Sequence, residues 1–136
     1  MCVMKKLIGF AFVLLSLSLS AQNNEVKTYY DNGMVKSSYR YTSARNYEVI
    51  NYYRNGKAME TGRFVNGKME GVWVTFAENG VRNSEGNYRN GEKSGEWKVY
   101  HDNGVLRYKI VYDANRIVSA VNFDAHGKAV AETHTH

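Results

Sequence analysis

The chain has 136 residues, no proline, 12 glycines, 11 tyrosines and a formal net charge of +5. That length holds one domain at most, and abundant tyrosine without proline favours strands over helices or low-complexity disorder. Lys5 and Lys6 supply two of the positive charges and the other basic residues are scattered singly, so no nucleic-acid or polybasic membrane patch is expected and the mild charge serves solubility.

Residues 1–21 read as a secretory signal peptide. Lys5-Lys6 form a basic start, Leu7 to Leu15 an apolar run broken only by Gly9, and small residues precede Gln22, which sets cleavage after Ala21. Leu19 at the −3 position allows the cut to move by a residue or two, and Met4 competes with Met1 as the true start. The alternative is an uncleaved anchor helix, for which the apolar run falls short of the ~20 residues that a span requires. Cys2 precedes the run, and Gln22 stands where a lipoprotein would carry its cysteine. The mature chain therefore has no thiol, disulfide or cysteine-based metal site. Its expected place is extracytoplasmic: periplasmic, cell-surface or secreted.

From Gln22 on, the sequence repeats. Turn glycines fall at Gly33, Gly56, Gly80, Gly104 and Gly127, at steps of 23, 24, 24 and 23 residues. Four residues before each stands an aromatic (Tyr29, Tyr52, Phe76, Tyr100, Phe123). Eight residues after each of the first four stands another (Tyr41, Phe64, Tyr88, Tyr112). A secondary turn follows at Asn66-Gly67 and Asn90-Gly91. Asn115 takes the glycine position in the fourth unit, and Ala44 makes the first one degenerate. Asn-Gly between short strand-like runs signals a hairpin. The expected fold is all-β: a single-layer, twisted antiparallel β-meander preceded by the signal-peptide helix. Its strands are predicted at 26–31, 34–42, 46–54, 57–65, 69–77, 81–89, 93–101, 105–113, 116–124 and 128–132. About four and a half units fill a domain over 22–130, and 131–136 form a polar tail.

Strand alternation puts Trp97 and Val99 on one face and Lys98 and Tyr100 on the other. The Trp column runs Val26, Val49, Trp73, Trp97, Ala120. Gly71 and Gly95 stand two residues before the tryptophans, and Gly62 and Gly86 two before Phe64 and Tyr88. On a strand these pairs share a face, so each glycine is expected to clear room for a ring; the alternative is that the glycines bend the strands. Gly33, Gly56, Gly67, Gly80, Gly91, Gly104, Trp73 and Trp97 are thus read as structural residues of the repeat.

The stretch YRNGEKSGEWKVYHDNG, from Tyr88 to Gly104, resembles a MORN repeat in its bacterial variant form, and FVNGKMEGVW, from Phe64 to Trp73, resembles it again. The resemblance spans about 26–130 and is closest over 52–112. It implies a row of β-hairpins in an elongated curved sheet and a non-catalytic role: a scaffold that associates with itself or docks to other proteins. Some MORN arrays are associated with membrane lipids, and a bacterial branch of the variant group carries an antitoxin label.

Catalytic chemistry finds little support in the residues. The histidines His101, His126, His134 and His136 form no Ser-His-Asp arrangement that spacing reveals. No nucleophile elbow, phosphate loop or dinucleotide fingerprint occurs, and His126-Gly127 lacks the second histidine of a nucleotidyl-transferase motif. His134-Thr135-His136 could chelate a metal, but two imidazoles without a third ligand read as a frayed polar end. Glu25, Glu48 and Glu96 precede Trp-column positions; a cation-binding row and a solvated strand edge both fit them. No catalytic, cofactor or metal residue is expected.

Tyr30 and Tyr53 follow column aromatics, and their counterparts Ala77, His101 and Asp124 show that the fold does not require tyrosine there. With Arg54 and His101 they form a candidate interaction surface near Arg40 and Arg45, since Tyr and Arg are enriched at binding hot spots; ordinary surface tyrosine is the alternative. The expected function is an exported, non-catalytic protein-interaction or scaffold module, with a protein partner or a second copy. The alternatives are an antitoxin-like protein neutralising a toxin and a peripheral lipid binder.

Overall fold

The computed structural model describes residues 24–134, so the signal-peptide reading lies outside the described residues. Ten strands follow in chain order: β1 (Glu25–Tyr29), β2 (Val35–Ser43), β3 (Asn46–Tyr52), β4 (Ala58–Val65), β5 (Lys68–Phe76), β6 (Arg82–Arg89), β7 (Glu92–Tyr100), β8 (Leu106–Asp113), β9 (Arg116–Phe123) and β10 (Ala129–His134). They form one sheet whose spatial order is the sequence order, and every neighbouring pair is antiparallel. The predicted meander is thus the observed one, with strand ends within two residues of expectation. β10 runs furthest past its predicted end: Thr133 and His134, read from sequence as polar tail beyond a strand at 128–132, pair with Ala120 and Ser119. β9 is long enough to offer them partners, which composition alone does not reveal.

Two rows of turns bound the sheet, and the same Asn-Gly dipeptide does different work in each. Along the first edge the glycine amide closes a β-turn onto the carbonyl three residues back, as Gly104 N does to His101 O at 2.8 Å. Only the glycine is left-handed there, at φ 81 for Gly104. The asparagine instead accepts an amide two residues on: Val105 N donates to Asn103 Oδ1 at 3.0 Å, and Asn32, Asn55 and Asn79 repeat this. A register shift next to each of these turns, such as that between Val99 and Tyr100, adds the local twist a bulge produces. Along the second edge both loop residues have positive φ in every loop but the degenerate Ala44-Arg45 one. These are Asn66 (52) with Gly67 (76), Asn90 (53) with Gly91 (87), and Ala114 (47) with Asn115 (68). Such a two-residue loop of type I′ matches the twist of the strands it joins.

The core is one face of this single layer. Val49, Trp73 and Trp97 are 4%, 5% and 8% exposed and share that face. Their cross-strand partners explain the spacing: Val49 opposes Gly62, and Trp73 opposes Gly86. Each indole lies flat over the glycine of the strand before it. A Cβ on Gly62 would stand 2.2 Å from the Trp73 ring, and one on Gly86 2.0 Å from the Trp97 ring. The glycines therefore make room for a ring from the next strand, not for the aromatic two residues ahead on their own. Gly71 and Gly95 take the bending role instead, at φ 73 and 67. Contacts between strands run almost wholly between sequence neighbours.

Candidate functional site

On the core face the aromatics form a continuous ladder from Tyr39 through Tyr47, Phe64, Trp73, Tyr88 and Trp97 to Tyr112. Tyr47 and Phe64 stack at 4.8 Å, and from Phe64 onward the rings meet edge to face, with Tyr88 and Trp97 at 5.1 Å. Edge-to-face contact sets the positive rim of one ring against the negative face of the next. Lys93 caps the far end, its Nζ 4.8 Å over Trp97 and 5.1 Å over Tyr112. Trp97 Nε1 donates to Asn87 O at 3.1 Å, whereas the buried Trp73 Nε1 has no partner among the described residues. Burial raises the phenol pKa of Tyr47 and of Tyr88, since the charged form is the one that loses water.

The opposite face carries charge. Glu85 sits between Arg82 (2.6 Å) and Lys98 (3.8 Å), and Glu96 between Lys98 (3.4 Å) and Lys109 (3.5 Å). Tyr100 donates its hydroxyl to Glu85 at 2.8 Å; burial, then this bond, raises its pKa. Arg40 holds Glu48 at 3.4 Å, Lys27 holds Glu25 at 3.4 Å, and Ser38 Oγ donates to Glu25 at 2.6 Å. The Ser38 hydroxyl, more than any other contact, lowers the Glu25 pKa. Glu25, Glu48 and Glu96 are therefore each matched to a base on the sheet. Among the described residues no three of His, Cys, Asp and Glu gather as metal ligands. His134 meets Glu132 at 3.0 Å; His136 lies outside the described residues. Val72, 64% exposed, stands among these ions between two open depressions. One is lined by Glu48, Ile50 and Arg63, the other by Glu85, Glu96 and Lys98. Sequence reasoning picked out Glu25, Glu48, Glu96 and Lys98 but missed their pairings, because which charges meet depends on cross-strand register.

The candidate surface named from sequence lies along the first turn edge. Tyr30 donates its hydroxyl to Tyr52 O and Tyr53 to Phe76 O, both at 2.7 Å; His101 Nε2 lies 3.0 Å from Phe123 O. Each side chain thus reaches one repeat onward to a backbone carbonyl and ties neighbouring hairpins together. Arg54 lies 4.9 Å over the Tyr30 ring and pairs with Asp31. The structure brings Tyr30 and Arg54 together, with Tyr53 beside them. It sets His101 two turns away, beyond the unit whose equivalent residue is Ala77. The second turn edge carries Arg45, Lys68, Arg89, Lys93 and Arg116 against Glu92 and Asp113.

Three segments of the chain, residues 22–42, 69–90 and 93–114, match the family model of the MORN repeat variant. They take in the β1–β2, β5–β6 and β7–β8 hairpins, the first of which leads into the degenerate Ala44 turn. No curated protein matches the chain in sequence. Among solved structures it is similar to a mutant of S. aureus TarM in complex with Fondaparinux, alpha-GlcNAc-glycerol and UDP. That pair shares 13% identity over 73% of this chain and 20% of the other, with TM-score 0.48. It is also similar to TarM (14%, 68% and 21%, TM-score 0.42) and to a GtfA/B complex (12%, 88% and 22%, TM-score 0.46). The chain spans about a fifth of the length of these structures.

Proposed function

We propose that this chain, which is a MORN-repeat protein, works outside the cytoplasm as a non-catalytic module that binds another protein. The observation that carries the reading is the single layer: among the described residues no second layer covers either face of the sheet. The hollows on it are open, and the functional-looking side chains lie in extended rows. Such a surface can lay many weak contacts along a partner, whereas catalysis needs groups converging on one enclosed point. The basic, apolar run at 1–21 supports export.

The turn edge around Tyr30, Tyr53, Arg54 and His101 is the proposed contact surface. Arg54 is its sharpest probe, because its exposed guanidinium lies over Tyr30 and its bond to the neighbouring hairpin is a solvent-exposed ion pair with Asp31, which adds little to stability. The chain from Gln22 onward, immobilised against the extracytoplasmic fraction, should capture a partner that Arg54→Glu captures at least about tenfold less well. Equal capture by wild type and Arg54→Glu would remove this surface. Retention of the full chain in the cytoplasm on fractionation would remove export and favour the toxin-neutralising alternative. The row of bases on the second turn edge favours lipid headgroups as a second reading, which sedimentation with anionic vesicles tests directly.

A further inference from the structure

We infer that the sheet continues from one molecule to the next: the outer edge of β10 receives the outer edge of β1 of a second copy, in the register that β8 and β9 already use. This deepens the interaction reading by naming one partner as the chain itself.

Strands of this sheet are of two kinds. β1, β3, β5, β7 and β9 lead into the glycine turns of the first edge, and the even strands leave them. Inside the molecule every even strand pairs onward with an odd one: β2 with β3, β4 with β5, β6 with β7 and β8 with β9. The described chain ends on an even strand and begins on an odd one. Among the described residues neither β10 nor β1 has a strand on its outer side. Joining them keeps both the antiparallel sense and the alternation.

The repeat also dictates the register. In β8–β9, Tyr108, Lys109, Ile110 and Val111 oppose Asn122, Val121, Ala120 and Ser119. Carrying the repeat forward to β10 and back to β1 sets Ala131 against Thr28, Glu132 against Lys27, Thr133 against Val26 and His134 against Glu25. Two of the four pairs are opposite in charge when His134 is protonated, and each has a precedent inside the sheet. Glu132 with Lys27 falls at the position of Glu85 with Lys98, an ion pair of 3.8 Å. His134 with Glu25 falls at the position of Arg40 with Glu48, an ion pair of 3.4 Å. Opposite charges directly across a strand pair stabilise it and like charges oppose it. Within one copy the ion pairs of these groups stay on their own strands, Lys27 meeting Glu25 at 3.4 Å and His134 meeting Glu132 at 3.0 Å.

Apolar exposure points the same way. Val26 belongs to the column of Val49, Trp73 and Trp97, yet it is 52% exposed where those three are buried. What it lacks is the strand that covers them from the N-terminal side. Tyr29 on β1 and Val130 on β10 are likewise more than half exposed. Both edges carry charges and a bulge beside the turn, at Thr28/Tyr29 and Ala129/Ala131, which block indiscriminate pairing; the charges here select the partner. Because the two edges differ, each added copy presents a free edge again, so the assembly is a linear series and not a closed dimer.

Sedimentation velocity on the purified chain beginning at Gln22, which holds every described strand, tests this. Wild type should grow in steps of one monomer mass as concentration rises. Lys27→Glu alone and Glu132→Lys alone should each weaken association about tenfold. An equimolar mixture of the two variants should restore it, because every junction between unlike copies then sets a carboxylate against an ammonium. Circular dichroism checks that both variants keep the sheet. A monomer at every concentration overturns the inference, and so does association that neither reversal alters, which would place the contact on a face. Capture of a protein partner that survives either negative result leaves the interaction reading standing without the end-to-end one.

Discussion

At the scale of single residues, the fold depends on two tryptophans lying over two glycines. Gly86 is opposite Trp73 on one side and beneath the Trp97 ring on the other. No side chain fits there without moving an indole that is 8% exposed. Gly86→Ala should therefore cost about 1–3 kcal/mol by overpacking. Because Gly86 is not among the residues at positive φ, the loss would come from the ring contact and not from backbone strain. Urea unfolding followed by tryptophan fluorescence measures it. A change below about 0.5 kcal/mol, the usual range for a surface substitution, would mean that Trp97 does not lie over this backbone. The tryptophans and glycines were legible as a repeating set. Their partnership was not, because the glycine that makes room for a ring lies on the preceding strand, and strand-to-strand register is not written in the spacing within one strand.

At the scale of the element, each hairpin of two strands is one repeat, and the strands were readable to within two residues. Both turn rows contain Asn-Gly, so sequence located the turns without telling them apart. One edge uses asparagine as an acceptor before a left-handed glycine, and the other, outside its Ala44-Arg45 loop, puts both residues in the left-handed region. The difference is visible at Ala114, a residue with a Cβ held at φ 47 where its equivalents are Asn66 and Asn90. Asparagine tolerates that conformation better than alanine. Ala114→Asn should stabilise the protein by about 0.5–1 kcal/mol. Asn115 keeps its own role, since its Oδ1 accepts from Lys93 N at 2.8 Å. A destabilised Ala114→Asn variant in thermal or urea unfolding would show that this loop is not of type I′. The ties made by Tyr30, Tyr53 and His101 were also hidden at this scale. Their targets are backbone carbonyls one repeat ahead, and a carbonyl leaves no trace in a sequence pattern.

At the scale of the whole molecule, contact between sequence neighbours makes stability a sum of hairpin terms and junction terms. The sum is uneven. β5, β6 and β7 have strands on both sides and hold Trp73 and Trp97, while among the described residues β1 and β10 have one neighbour each and the column ends in Val26 and Ala120. Local opening should therefore begin at both ends and reach the centre last. In native-state hydrogen exchange on dilute protein, amides of β5–β7 should exchange at least about tenfold more slowly than those of β1 and β10, which corresponds to about 1.4 kcal/mol. Equal protection throughout would mean that the sheet opens as one unit and that the repeat is not the unit of stability. The same measurement at high concentration joins this gradient to the assembly inferred above. If β10 of one copy covers β1 of the next, the terminal strands gain the second neighbour they lack. Protection should then rise in β1 and β10 while that of β5–β7 stays where it was. Contact through a face would instead slow exchange across the middle of the sheet, so the position of the gained protection, and not its size, decides which surface is the meeting place.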